Sequence, residues 1–154
     1  MKELLLKQIQ FEHWANTTLL ASMKTANPLD ARALFLFSHI LSASHMWLSR
    51  VNGTPITTAL FQERDLAECE TLIHENTKNW IEYINKTDEA EFKKILEFIL
   101  PVDGSQRRIR VQDGILHVVH HSSYHRGQIV TKLKGTVENL PLVTYIIYAI
   151  ENID

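Results

Sequence analysis

Cysteine is nearly missing from this chain. Cys69 is the one thiol in 154 residues, so no disulfide within the chain holds the fold together. There are four prolines and five glycines, few enough for long regular segments to run unbroken. Neither sign of charge prevails: 16 basic side chains face 18 acidic ones, for a formal net charge of −2. A nucleic-acid binder draws much of its affinity from neutralised phosphates and shows a basic excess or stripe. The only basic cluster, Arg107, Arg108 and Arg110, is too short for that role, so no nucleic acid is expected as a partner. No apolar run approaches the roughly 20 residues needed to span a bilayer. Met1 to Gln10 mixes Lys, Glu and Gln among its leucines and lacks a cleavage-site pattern, so it does not read as a signal peptide. A cytoplasmic protein without a membrane partner is the expectation. Repeats, low-complexity tracts and linkers are also absent, and residues 1–154 read as a single domain.

What remains is helical. A first helix runs from about Leu4 to Thr25 and stops before Asn27-Pro28, because a residue preceding proline avoids helical geometry. A second opens at Asp30, a natural N-cap, and closes at Asn52-Gly53. A loop with Thr54-Pro55 leads to a third, roughly Asp65 to Lys86, and a fourth covers about Gln112 to Lys134, ending at Gly135. Pro141 opens a short closing helix from Leu142 to Ile150. Ahead of the fourth helix, Lys94–Leu100 and Arg107–Val111 flank the turn-rich stretch 101–105 and read as a small β-hairpin or an irregular excursion. The fold class expected is all-α: an up-and-down four-helix bundle with a hairpin-like excursion before helix four and a short C-terminal helix.

Histidine is the residue in excess. There are eight, and four of them, His117, His120, His121 and His125, crowd into nine positions. Residues four apart share a helix face about 6 Å apart. Two imidazoles so placed can converge on one ion at roughly 2.0–2.1 Å each. His117/His121 and His121/His125 both have that spacing. Residues eight apart stand about 12 Å apart along the axis, so a third ligand must come from another helix. Chance alone gives eight histidines about 0.4 such pairs, so helical position has to decide. Ile115, Val118, Val119, Ile129 and Leu133 set the apolar face of helix four, with His121 and His125 nearest to it. On helix two, His39 shares its side with Phe35 and Met46, whereas His45 shares its side with Ser38, Ser42 and Ser49. The drier side favours His39. His13 lies in the stripe of Leu5, Ile9 and Leu20 and reads mainly as a core histidine, while His45 and His74 read as solvated.

Three imidazoles leave open positions on an ion, as in a catalytic rather than a structural site. Zn²⁺, Ni²⁺ and Fe²⁺ all accept them, and the residues do not choose among the three. Ser122 stands where the zincin motif places its glutamate base, so peptide hydrolysis by that route is not expected. Arg126 projects into the apolar face of helix four, where an unpaired guanidinium is costly. It reads either as one half of a structural ion pair with a carboxylate such as Glu12, or as an anion-binding group beside the metal. Trp14, Trp47 and Trp80 read as core fillers, with at most one lining a pocket.

Three segments carry a resemblance. They are Phe11-Glu-His-Trp-Ala-Asn16, His39-Ile-Leu-Ser-Ala-Ser-His-Met-Trp-Leu-Ser-Arg50 and, most specific, His117-Val-Val-His-His-Ser-Ser-Tyr-His-Arg-Gly-Gln128. Together with the excursion before helix four, the chain resembles the DinB-like, damage-inducible family over nearly its whole length. The resemblance implies a four-helix bundle, often a homodimer, with a divalent metal on His39, His121 and His125, and His117 and Arg126 are the candidates for contacting substrate. His120 departs from the family, where Asn is more usual. Relatives in the wider superfamily include transferases and isomerases that use small thiols such as bacillithiol, mycothiol or glutathione. The leading expectation is thus a metal-dependent thiol transferase acting on small electrophiles. The alternatives are a non-catalytic metal-binding or stress-associated protein, and a plain bundle whose histidines bind nothing.

Overall fold

The structure is a computed structural model and describes residues 1–150. Four long helices dominate: α1 Lys2–Thr25, α2 Ala31–Asn52, α3 Leu66–Lys86 and α4 Val111–Leu133. Strands β1 Ile95–Ile99 and β2 Gln106–Arg110 pair antiparallel just before α4, with Glu97 opposite Arg108. The all-α class, the hairpin and the short C-terminal helix are as expected. That last helix, α5, is only Tyr145–Ala149. Residues 142–144 stay non-helical because Val143 is buried in the core and Thr144 is the extended N-cap. No helix among the described residues is long and apolar enough to cross a membrane.

Local chemistry sets the helix ends. The Asp30 carboxylate accepts from the Ala33 N–H at 2.8 Å, relieving one orphan donor of α2. Asp65 and Glu68 form a reciprocal capping box at the start of α3. Gly53 ends α2 in the left-handed region at φ 66°, which glycine enters without a Cβ penalty.

One feature departs from alternating up-and-down packing. The Asn76 amide donates to the Leu41 carbonyl and the Trp80 indole to the Ser44 hydroxyl, each at 3.0 Å. Residue numbers rise together along this contact, so α2 and α3 run parallel. Residues 53–65 therefore return along α2 as a crossover, a variant bundles accommodate with a longer connection. Arg64 clamps this crossover, its Nη1 donating to Ser38 Oγ at 2.8 Å and to Ser42 Oγ at 2.7 Å. The Ser38 hydroxyl in turn donates to the Gln62 carbonyl. The serine side of α2, read from its polarity as the wetter one, is buried at Ser38 and Ser42 under this segment.

The core has two stacked parts, one around Leu19, Phe37 and Ile129, the other around Trp80, Phe92 and Ile115. Trp47 bridges α2 to α4. A Cβ on Gly114 would stand 3.0 Å from its ring, so this glycine in the first turn of α4 makes room for the indole.

Candidate metal centre

α2 and α4 pack antiparallel and bring together the three histidines chosen on the helical wheels. The ring centroids of His39 and His121 are 5.0 Å apart, those of His39 and His125 5.0 Å, and those of His121 and His125 4.6 Å. One nitrogen from each lies within 4.8 Å of the other two. His39 Nε2 and His121 Nε2 are 3.2 Å apart. Two nitrogens on one tetrahedral ion stand about 3.3 Å apart at ordinary bond lengths, so the rings already hold a ligand-like separation.

The partners of the outer nitrogens decide which atoms are free. His39 Nδ1 lies 3.1 Å from the Leu60 carbonyl on the crossover. A carbonyl only accepts, so Nδ1 carries the proton and Nε2 keeps its lone pair. The Phe61 ring stacks on His39 at 4.7 Å, only 6° from parallel. His125 Nδ1 meets the Gln128 amide oxygen at 2.8 Å, one turn along α4, and is aligned in the same manner. Such outer partners orient metal-ligating histidines. His121 lacks one: its Nδ1 is buried without a hydrogen-bond partner.

Electrostatics favours the neutral rings that ligation requires. Burial, reinforced by His125, His39 and His117, pushes His121 down to about 3. Burial likewise lowers His39, against an opposing pull from the Leu60 carbonyl. His117, which is exposed, is lowered by partial desolvation and then by Arg50 and His120. All-nitrogen donors and a ligand-like spacing fit a divalent transition-metal ion.

The centre opens onto a cavity of about 490 Å³ whose walls include Trp47, Phe61, Phe98 and His117. Trp47 is the tryptophan that lines it. The Phe98 ring, brought by the hairpin, meets Trp47 edge-on at 5.2 Å. His117 sits 5.2 Å from Trp47 and 5.4 Å from His121, on the cavity wall.

Arg126 lies elsewhere. Its guanidinium is 1% exposed and donates to Glu12 Oε2 at 2.6 Å, Asn16 Oδ1 at 2.8 Å and Ser123 Oγ at 2.9 Å. The ion pair with Glu12, one of its two readings, explains its position, and it does not line the cavity beside the histidines. His13 bonds Thr77 at 3.1 Å on the α1–α3 side, while His74 and His120 are exposed and His45 partly so. Leu60, Phe61, Phe98 and Arg50 join the site without having been singled out in the sequence. Arg50 alone had a signal, as a cation ending the helix that carries His39.

Four long helices, a hairpin ahead of the last, and three histidines close enough to hold a metal ion define a helical-bundle protein with a candidate metal centre. The DinB family model matches residues 5–146, nearly the whole chain. The chain belongs to the DinB family. No curated protein matches it.

Proposed function

We propose that this protein binds one divalent metal ion through His39, His121 and His125 and transfers a small-molecule thiol to an electrophile in the adjoining cavity. The observation that carries the reading is the convergence of three imidazoles, two with their outer nitrogens committed to Leu60 and Gln128. When bound, a divalent ion lowers the pKa of a thiol or water and supplies a nucleophile near neutral pH. The chain's own residues supply the surroundings. Trp47, Phe61 and Phe98 give the cavity an aromatic lining, a surface suited to the apolar part of a small molecule. His117, on the cavity wall, offers a ring nitrogen able to accept a proton. Homodimeric assembly is part of the proposal and is supported by the exposed apolar residues of the C-terminal segment.

Elemental analysis of protein purified without a histidine tag tests the metal. One ion per chain is expected, lost in the double variant His121→Ala, His125→Ala. Protein that stays empty after incubation with Zn²⁺, Ni²⁺ and Fe²⁺ ends the reading. For turnover, several thiols are offered to a generic electrophile with and without chelator. Chelator-sensitive conjugation supports transfer. Stoichiometric metal without conjugation would leave a metal-binding protein that turns nothing over.

A further inference from the structure

The cavity beside the histidines contains one permanently charged side chain. Arg50, in the last turn of α2, lays its guanidinium 4.8 Å from the Trp47 ring and 5.0 Å from the Phe98 ring. Among the described residues no carboxylate pairs with it. The other two arginines tucked into this fold are treated differently. Arg126 has a carboxylate, an amide oxygen and a hydroxyl; Arg64 has two serine hydroxyls and the Gln62 side chain. Aromatic faces offset only part of the cost of desolvating a guanidinium. They leave its N–H edge unused, and that edge is the part that grips a carboxylate in bidentate fashion.

We propose that Arg50 is the anion anchor of the cavity, taking the carboxylate of a small organic acid whose apolar body lies against Trp47, Phe98 and Phe61. The far end of such a molecule reaches toward the three histidines. Arg50 follows His39 by eleven residues, about 16 Å along the helix axis. Helical side chains lean toward the N-terminus, as the contact of Arg50 with Trp47, three residues earlier, shows. The remaining gap is on the order of 10 Å, and a volume of about 490 Å³ falls in the range of small-molecule sites. A monoanion matches the lone cation, whereas a dianionic phosphate would bring one uncompensated charge into a mainly apolar space. The anchor rests on the cavity and its arginine, so it stands or falls separately from the metal.

Calorimetric titration with phenylbutanoate, phenylbutanamide and phenyl phosphate, in the presence of chelator, tests it. The acid should bind about tenfold or more tightly than its amide. Arg50→Gln should erase that preference, bringing acid and amide to the same affinity. Arg50→Lys should keep only part of it, since a point charge lacks the planar fork, and this variant decides the matter if Arg50→Gln does not fold. The preference should persist in the His121→Ala, His125→Ala protein, separating this anchor from the metal reading. Equal binding of acid and amide, a stronger response to the phosphate, no binding of the acid at millimolar concentration, or an unchanged preference in both Arg50 variants would each overturn the proposal.

Discussion

Glu12 and Arg126 show what a buried charge demands of its neighbours. The pair is almost fully enclosed, and Asn16 bridges it by donating to Glu12 and accepting from Arg126. Removing one partner leaves the other charge stranded, which typically costs about 3–5 kcal/mol. Glu12→Ala should therefore lower Tm by about 10 °C, at roughly 2–4 °C per kcal/mol for a chain of this size. Thermal unfolding followed by circular dichroism measures this, and a loss below a third of that would mean the guanidinium finds another partner or water. The histidines make a second prediction, about pH. Burial holds His13 and His39 below the ordinary value of 6.5 and drives His121 to about 3. Between these values the unfolded chain takes up protons that the folded one refuses. The metal-free protein should thus be at full stability above about pH 6.5 and lose it progressively toward pH 3. Tm read at pH 7 and pH 5.5 should drop by a few degrees, about 2–4 °C per kcal/mol, and the drop should shrink in His121→Asn. A flat profile would contradict the buried neutral cluster.

At the scale of elements, the crossover between α2 and α3 does more than connect. Its Leu60 carbonyl orients His39 and its Phe61 ring covers the imidazole, while Arg64 ties it to Ser38 and Ser42. Arg64→Ala should release this segment, leave the helices intact and weaken metal binding roughly 10- to 100-fold, the usual effect of losing a partner that orients a ligand. Competition with a chromogenic chelator measures it, and unchanged affinity would show that α2 alone holds His39 in place. This segment also marks where sequence reasoning stopped. Pro28, Asp30, Gly53 and Asp65 revealed the helix ends because caps and breakers act locally. His39, His121 and His125 could be chosen because burial follows the helical period, and the pairing of Arg126 with Glu12 was legible as a cost to be met. The direction of α3 was not legible, since a loop's path is set by tertiary bonds such as those of Arg64. Nor was Leu60, whose contribution is a backbone carbonyl that every residue possesses. Arg50 was hidden for another reason: a cation in the last turn of a helix is already expected from the macrodipole.

The molecule carries a run of exposed apolar side chains near the end of its described residues. Leu142, Ile146 and Ile150 are 68%, 64% and 56% exposed, and they lie in one segment. Large apolar side chains gathered this way on a surface mark an interaction site. A twofold pairing that buries the segment against its counterpart would cover it symmetrically. The protein should therefore sediment as a dimer of about 36 kDa, twice the chain mass, at micromolar concentration. The double change Leu142→Lys with Ile146→Lys should shift it to the monomer. Both positions are solvent-exposed in the single chain, so the variant should keep its helical content and lose stability only as far as the dimer contributed to it. A wild-type chain that sediments as a monomer across that concentration range would assign the exposed apolar segment some other role. A variant that stays dimeric would place the twofold elsewhere on the bundle.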